Sequence, residues 1–260
     1  MSSLALLAAC SEQIIVRPGT SNSPDANAEP EVDAGSVTDG GEGPRDAAVA
    51  GWPGCKAVDA AFCDDFDGPN GGTWTRRYVG DGGTVQVAGA SASSPPKHLR
   101  TELPPAGTDR DGYGARIEQD VGGLSLVDYS AEIRIVRRSG GRVMIHEIVT
   151  GQGSNFWRLG IELSPSGDRI VEETFDALRA TPLSRPLPAN AWVNLRINVD
   201  IGISGARAIV SLDGKDVAIH KILIPGARPV TLYAGQRALD AEAGGSIVDV
   251  DNVVLYIDER

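Results

Sequence analysis

Residues 192–201 read Trp-Val-Asn-Leu-Arg-Ile-Asn-Val-Asp-Ile, an unbroken alternation of apolar and polar side chains. Val193, Leu195, Ile197, Val199 and Ile201 fall on one face, and Asn194, Arg196, Asn198 and Asp200 on the other. A period of two belongs to a β-strand with one face in a core and one in water. In residues 156–163 the set Trp157, Leu159, Ile161 and Leu163 opposes Phe156, Arg158, Gly160 and Glu162 in the same way. Similar short segments cover 74–78, 84–88, 98–102, 112–121, 126–137, 142–150, 155–163, 169–175, 192–201, 207–212, 217–222, 230–234 and 247–257, punctuated by Gly, Pro, Asp, Asn and Ser. Helical spacing of apolar residues is hard to find after Trp74. So many strands predict an all-β fold of two packed antiparallel sheets, a β-sandwich. Leu212-Asp-Gly-Lys215 predicts a hairpin turn, and Pro182, Pro186 and Pro188 predict a rigid crossover between the sheets. The segment 142–150 reads two ways: Val143, Ile145 and Val149 share the parity of Glu147, while the other parity holds Met144 and Ile148.

The chain does not read uniformly. No aromatic residue precedes Trp52, and residues 11–50 carry eight acidic side chains against Arg17 and Arg45. So little apolar surface cannot offset the entropy of ordering a backbone, and 11–50 is expected to be a disordered acidic tether. Residues 51–260, about 210 in number, suit one β domain. The tether holds about half of the formal net charge of −11. The domain is then only mildly acidic, and nothing in the charge balance calls for nucleic acid.

The three cysteines are Cys10, Cys55 and Cys63. Leu7-Ala8-Ala9-Cys10 resembles the lipobox of a bacterial lipoprotein signal, which implies acylation of Cys10 and residues 1–10 as a partial signal. The apolar run before it is short and no Lys or Arg precedes it, so translation is expected to begin upstream. An even pair then remains, and in an exported protein Cys55 and Cys63 read as a disulfide. The expected location is the cell envelope, lipid-anchored, on the outer membrane or cell surface in a Gram-negative host. Ser11 after the lipidated cysteine, in place of Asp, favours that sorting. No segment has the roughly 20 apolar residues of a membrane span, so acyl chains are the expected anchor.

Four pieces in order carry a resemblance: Cys63-Asp-Asp-Phe-Asp67 with Trp74, Asn190-Ala-Trp-Val-Asn-Leu-Arg-Ile, Val210-Ser-Leu-Asp-Gly214, and Val250-Asp-Asn-Val-Val-Leu255. Together they resemble the concanavalin A-like lectin/glucanase superfamily, including its laminin G-like members, over residues 55–258. The resemblance implies a jelly-roll sandwich, a carbohydrate-related role, and a structural calcium ion where the first and last strands meet. Carried onto this chain, Asp65 and Asp251 are the implied calcium ligands, since hard cations prefer carboxylate and carbonyl oxygens. The alternative is that these aspartates are strand-end residues facing water.

Glycosidases of that superfamily place acid and nucleophile in a Glu-x-Asp-x-x-Glu run. Here Glu172 and Glu173 are adjacent, and Glu118 and Asp120 lack a third carboxylate, so no catalytic residue is assigned. A site converging from several strands stays open. The polar faces of the central segments carry Glu132, Arg134, Arg142, His146, Phe156, Arg158 and Glu162, which would form a ligand-binding groove if those strands are neighbours. The plain alternative is a solvated face of paired charges. His146 could serve as a general base, although no metal-ligand cluster surrounds it. Three readings follow in order of preference: a non-catalytic glycan-binding module, a structural envelope lipoprotein, and a polysaccharide lyase or glycoside hydrolase.

Overall fold

A computed structural model describes residues 54–68, 74–80, 82–89, 92–104, 114–123, 126–151, 155–200, 205–223 and 229–258. All lie in the unit Pro44–Arg260. Cys10 and the tether at 11–50 lie outside the described residues.

Fifteen strands are present among the described residues: β1 Phe62–Asp64, β2 Arg76–Val79, β3 Thr84–Ala88, β4 His98–Glu102, β5 Gly114–Gly123, β6 Leu126–Arg137, β7 Val143–Thr150, β8 Trp157–Leu163, β9 Arg169–Thr174, β10 Leu178–Pro182, β11 Trp192–Asp200, β12 Arg207–Leu212, β13 Lys215–Lys221, β14 Pro229–Ala238 and β15 Ile247–Asp258. The first sheet runs β13-β12-β11-β6-β15-β4-β3, with β1 also pairing to β15. The second runs β10-β9-β8-β7-β14-β5-β2. Every strand pairing is antiparallel, and the alternation in β11 and β8 buries the faces the sequence assigns to the core. The two inner faces share one cluster that includes Tyr129, Ile133, Leu195, Ile197, Trp157, Leu159, Leu232 and Leu255. Each such side chain removed from water contributes about 1.5–3 kcal/mol, which fixes the register wherever one face is buried.

β1 and β10 are not among the thirteen segments expected from alternation. β1 is only three residues long, too short to show a period, and it pairs with the end of β15. A Cys55–Cys63 disulfide ties it to the preceding turn, with Cα atoms 5.5 Å apart. β10 is an edge strand whose alternation is half-exposed, and Pro182 closes it where a missing N–H costs least. Pro186 and Pro188 lie in the following crossover to β11, anchored by buried Leu183 and Leu187. Where the edges of the two sheets meet, Glu172 accepts bonds from Trp157 Nε1 (2.8 Å) and Leu223 N (2.6 Å). Its Oε2 is 3.3 Å from His220 Nε2 on β13, and His220 Nδ1 is 2.8 Å from Thr181 Oγ1 on β10. This chain of polar contacts joins the edge strands of the two layers.

The ambiguity of residues 142–150 has a structural cause. Pairing of β7 with β8 shifts register between Ile145 and Ile148, and its pairing with β14 shifts between Tyr233 and Gln236. His146 has a φ of 53°, and Gly235, opposite on β14, a φ of 121°. A Cβ at Gly235 would sit 2.5 Å from the Ala115 carbonyl oxygen, so only glycine fits there. The extra residue of a bulge switches which face each side chain takes. Val143, Ile145 and Ile148 therefore all reach the core, while Glu147 turns outward. His146 turns inward and stacks on Tyr129 of β6, ring centroids 3.6 Å apart.

Burial holds the pKa of His146 down to about 3, against an unfolded value of 6.5. The folded state then binds fewer protons than the unfolded chain between these values, so stability falls as pH drops through that window. Urea unfolding should show it: the stability of wild type relative to His146→Asn, which does not titrate, is expected to fall by about 2 kcal/mol from pH 7 to pH 5. An unchanged difference would mean the ring is not enclosed.

Candidate functional site

The bulge delivers Glu147 to the outer face of the second sheet, where three arginines from three strands meet it. Arg158 Nε of β8 lies 3.0 Å from Glu147 Oε2, Arg237 Nε of β14 is 3.2 Å from the same oxygen, and Arg116 Nη1 of β5 is 3.6 Å from Oε1. Burial alone would push the Glu147 carboxyl up, but Arg237, Arg158 and Arg116 outweigh it and hold the group below the usual range. Gly160 of β8 makes the approach feasible, since a Cβ there would lie 3.0 Å from Glu147 Cγ and 2.9 Å from Met144 Sδ.

A second carboxylate completes the cluster. Glu173 of β9 accepts from Arg158 Nη1 at 2.9 Å and lies 3.7 Å from Arg237 Nη2. Aromatic rings set the planes of two guanidiniums: Arg116 lies over Tyr233 (4.4 Å) and Tyr78 (5.1 Å), and Arg158 over Phe156 (4.6 Å). The first sheet offers a contrasting arrangement. There Asp249 takes two bonds from Arg100 (2.7 and 2.9 Å) and two from Arg134 (3.1 and 2.7 Å), closing both forks on one carboxylate. Around Glu147 only Arg237 Nε makes a hydrogen bond, Arg158 and Arg116 make ion-pair contacts, and Arg116 Nε, Arg158 Nε and Arg237 Nη2 find no hydrogen-bond acceptor.

No protein-family model matches the chain, and no curated protein matches it by sequence. Solved structures do match in shape. An endo-β-1,4-glucuronan lyase from the fungus Trichoderma reesei superposes with a TM-score of 0.64 at 12% identity, covering 76% of this chain and 96% of that one. A cellulose-induced protein, Cip1, gives 0.57 at 16% identity over 76% and 97%. The immunostimulatory antigen and pseudo β-1,3-glucanase Rv0315 of Mycobacterium tuberculosis gives 0.50 at 15% identity over 78% and 100%. The chain folds as a concanavalin A-like jelly roll. At these identities the likeness fixes the fold and leaves activity to the site.

On this jelly roll the seven residues expected to line one groove are divided. Phe156, Arg158 and Glu162 do share the outer face of the second sheet, with Glu162 bound to Arg169 (3.0 Å). Glu132 and Arg134 lie on β6 of the first sheet, where Glu132 accepts from Asn194 (3.1 Å) and Arg134 packs on the Trp192 ring. Arg142 precedes β7 and pairs with Asp240 (3.0 Å) at the end of the sheet. His146 is in the interior. The single-groove expectation fails because β6 and β7, adjacent in sequence, belong to different layers, and because the bulge reverses parity after Ile145. Sequence reasoning misses Glu147, Arg116, Arg237, Tyr233, Tyr78 and Glu173. Arg116 with Glu118 shows plain alternation in β5 and is readable; Arg237 lies beyond the predicted end of its strand, past the shift at Gly235.

Asp65 follows β1, and Asp251 lies on β15, the strand that β1 pairs with. Asp251 accepts from Ser94 N (2.8 Å) and Ser94 Oγ (3.3 Å) on one oxygen and from Asn252 N (2.8 Å) on the other. Burial, with Asp67 nearby, pushes its carboxyl up to about 7. Asp65 accepts from Asp67 N within its own turn. Among the described residues no three carboxylate, His or Cys groups come together to hold a metal.

Glu147 is pinned as a carboxylate and is not a proton donor, and burial, then Glu118, pushes the Tyr233 phenol up, away from a base. Removing one guanidinium would leave a buried carboxylate under-compensated. Arg237→Gln should cost about 2–4 kcal/mol at pH 7 in urea unfolding and raise the pKa of Glu147 in a carboxyl NMR titration. A change under about 0.5 kcal/mol would show that the cluster is solvated.

Proposed function

We propose that the chain is an exported, lipid-anchored envelope protein whose jelly roll binds a glycan on the outer face of the second sheet without cleaving it. The observation that carries the binding reading is the strip of arginines backed by aromatic rings, Arg116 with Tyr78 and Tyr233, and Arg158 with Phe156. Planar donor forks and ring faces are what hydroxyl-rich sugar rings need for bonding and stacking. Two structures sharing the fold are named for a polysaccharide lyase and a cellulose-induced protein, which supports a carbohydrate partner. The anchor reading rests on the lipobox and on cysteine pairing: with Cys55 and Cys63 joined, Cys10 is the thiol left to acylate.

Two experiments test these halves separately. A glycan array probed with the full chain carrying Cys10→Ser should give saturable binding to a polysaccharide, and Arg158→Gln should weaken it by about tenfold or more. No new reducing ends or unsaturated sugars should accumulate; if they do, the enzyme reading replaces this one. In a bacterial host, Cys10→Ser should abolish incorporation of labelled fatty acid and release the protein from the membrane fraction. Labelling that persists would refute the anchor.

A further inference from the structure

We infer that the glycan recognised here is an acidic polysaccharide bearing carboxylates on its sugars, a polyuronate, lying across β8, β7, β14 and β5. This inference rests on the glycan-binding reading and names the ligand class for the same face.

The cluster already shows what it does to a carboxylate. Glu147 is an acceptor-only planar group reached by guanidiniums from β8, β14 and β5. A uronate presents the same group. The charges do not close on themselves: Arg116, Arg158 and Arg237 face Glu147 and Glu173, while Glu118 on the same face is paired by Arg76 (3.8 Å), which leaves one cation in excess. Arg116 Nε and Arg237 Nη2 lack acceptors in that same centre. Excess positive charge with idle donors, both enclosed, is costly unless an anion completes it. The state of Arg158 agrees: burial lowers its pKa, Glu147 opposes this, and Arg237 adds to the lowering.

The spread of the arginines selects a polymer over a single sugar. Strands β8 and β5 are three spacings apart with β7 and β14 between them, about 14 Å. Arginine, not lysine, occupies all three positions, as suits fork recognition of carboxylates. The chain carries a net charge of −11, so an anionic polymer will approach only where the local field is positive.

The test uses the full chain with Cys10→Ser and one polymer in two forms, polygalacturonate and its carboxyl-reduced counterpart, beside the neutral glucan laminarin. Binding is measured by calorimetry at two salt concentrations. The expected result is binding to the uronate, weakened by about tenfold or more on carboxyl reduction and weakened by added salt. Arg116→Gln should reduce binding to the uronate by a larger factor than any binding to the reduced polymer. Equal affinity for both forms, or binding to laminarin alone, overturns the uronate inference and leaves the glycan reading standing. No binding to any polysaccharide on the array overturns both.

Discussion

The contact on which the site depends is internal: the stack of His146 on Tyr129, which crosses from the second sheet to the first. An imidazole enclosed against a phenol ring fills the space made by the extra residue of β7, and its Nε2 lies 3.3 Å from the Tyr129 carbonyl oxygen. That filled space holds the backbone in the bulged conformation, and the bulge turns Glu147 outward. A regular β7 would send Glu147 into the apolar layer with Val143 and Ile145. An unpaired carboxylate there would cost several kcal/mol. Core packing and surface chemistry are therefore coupled through two adjacent residues with opposite roles. Histidine suits the inner one because the ring stays neutral when buried, and glutamate suits the outer one because three guanidiniums keep it charged.

The two ionic clusters of the sandwich show how fork geometry separates a structural role from a binding role. Asp249 on the first sheet is gripped by the Nε–Nη2 edges of two arginines and stays well below the usual carboxylate range, because hydrogen bonds from Arg100, His98 and Arg134 outweigh its burial. Both contacts of each arginine go to that one carboxylate. Glu147 takes one edge from each of its arginines, and the remaining edges reach Glu173 or nothing. Buried ion pairs contribute little net stability, because desolvation offsets most of their attraction. A cluster with donors to spare is better explained by what it can hold than by what it adds to folding.

Much of this can be read along the chain. The alternation in 192–201 and 156–163 is enough by itself to place Leu195, Ile197, Leu159 and Ile161 in the core, and the other eleven expected segments also hold strands, although β7 breaks the alternation. The site is less legible. Phe156, Arg158 and Glu162 stand out because β8 keeps strict parity. Glu147 is hidden by a bulge, which a period-two reading registers only as the conflict between Met144, Ile148 and their neighbours. Glu132 and Arg134 fall in with the groove because adjacent segments look adjacent, yet the chain changes sheets between β6 and β7. Cross-strand convergence of Arg116, Arg158 and Arg237 spans more than a hundred residues of sequence, and no linear spacing encodes it.

The central claim, that the outward turn of Glu147 assembles a ligand-binding arginine cluster on the second sheet, can be read directly from arginine side-chain Nε–Hε NMR resonances during titration with a uronate oligosaccharide. Arg116, Arg158 and Arg237 should shift together and saturably, while Arg100 and Arg134 stay in place. Shifts confined to Arg100 and Arg134 would move the site to the first sheet and contradict it.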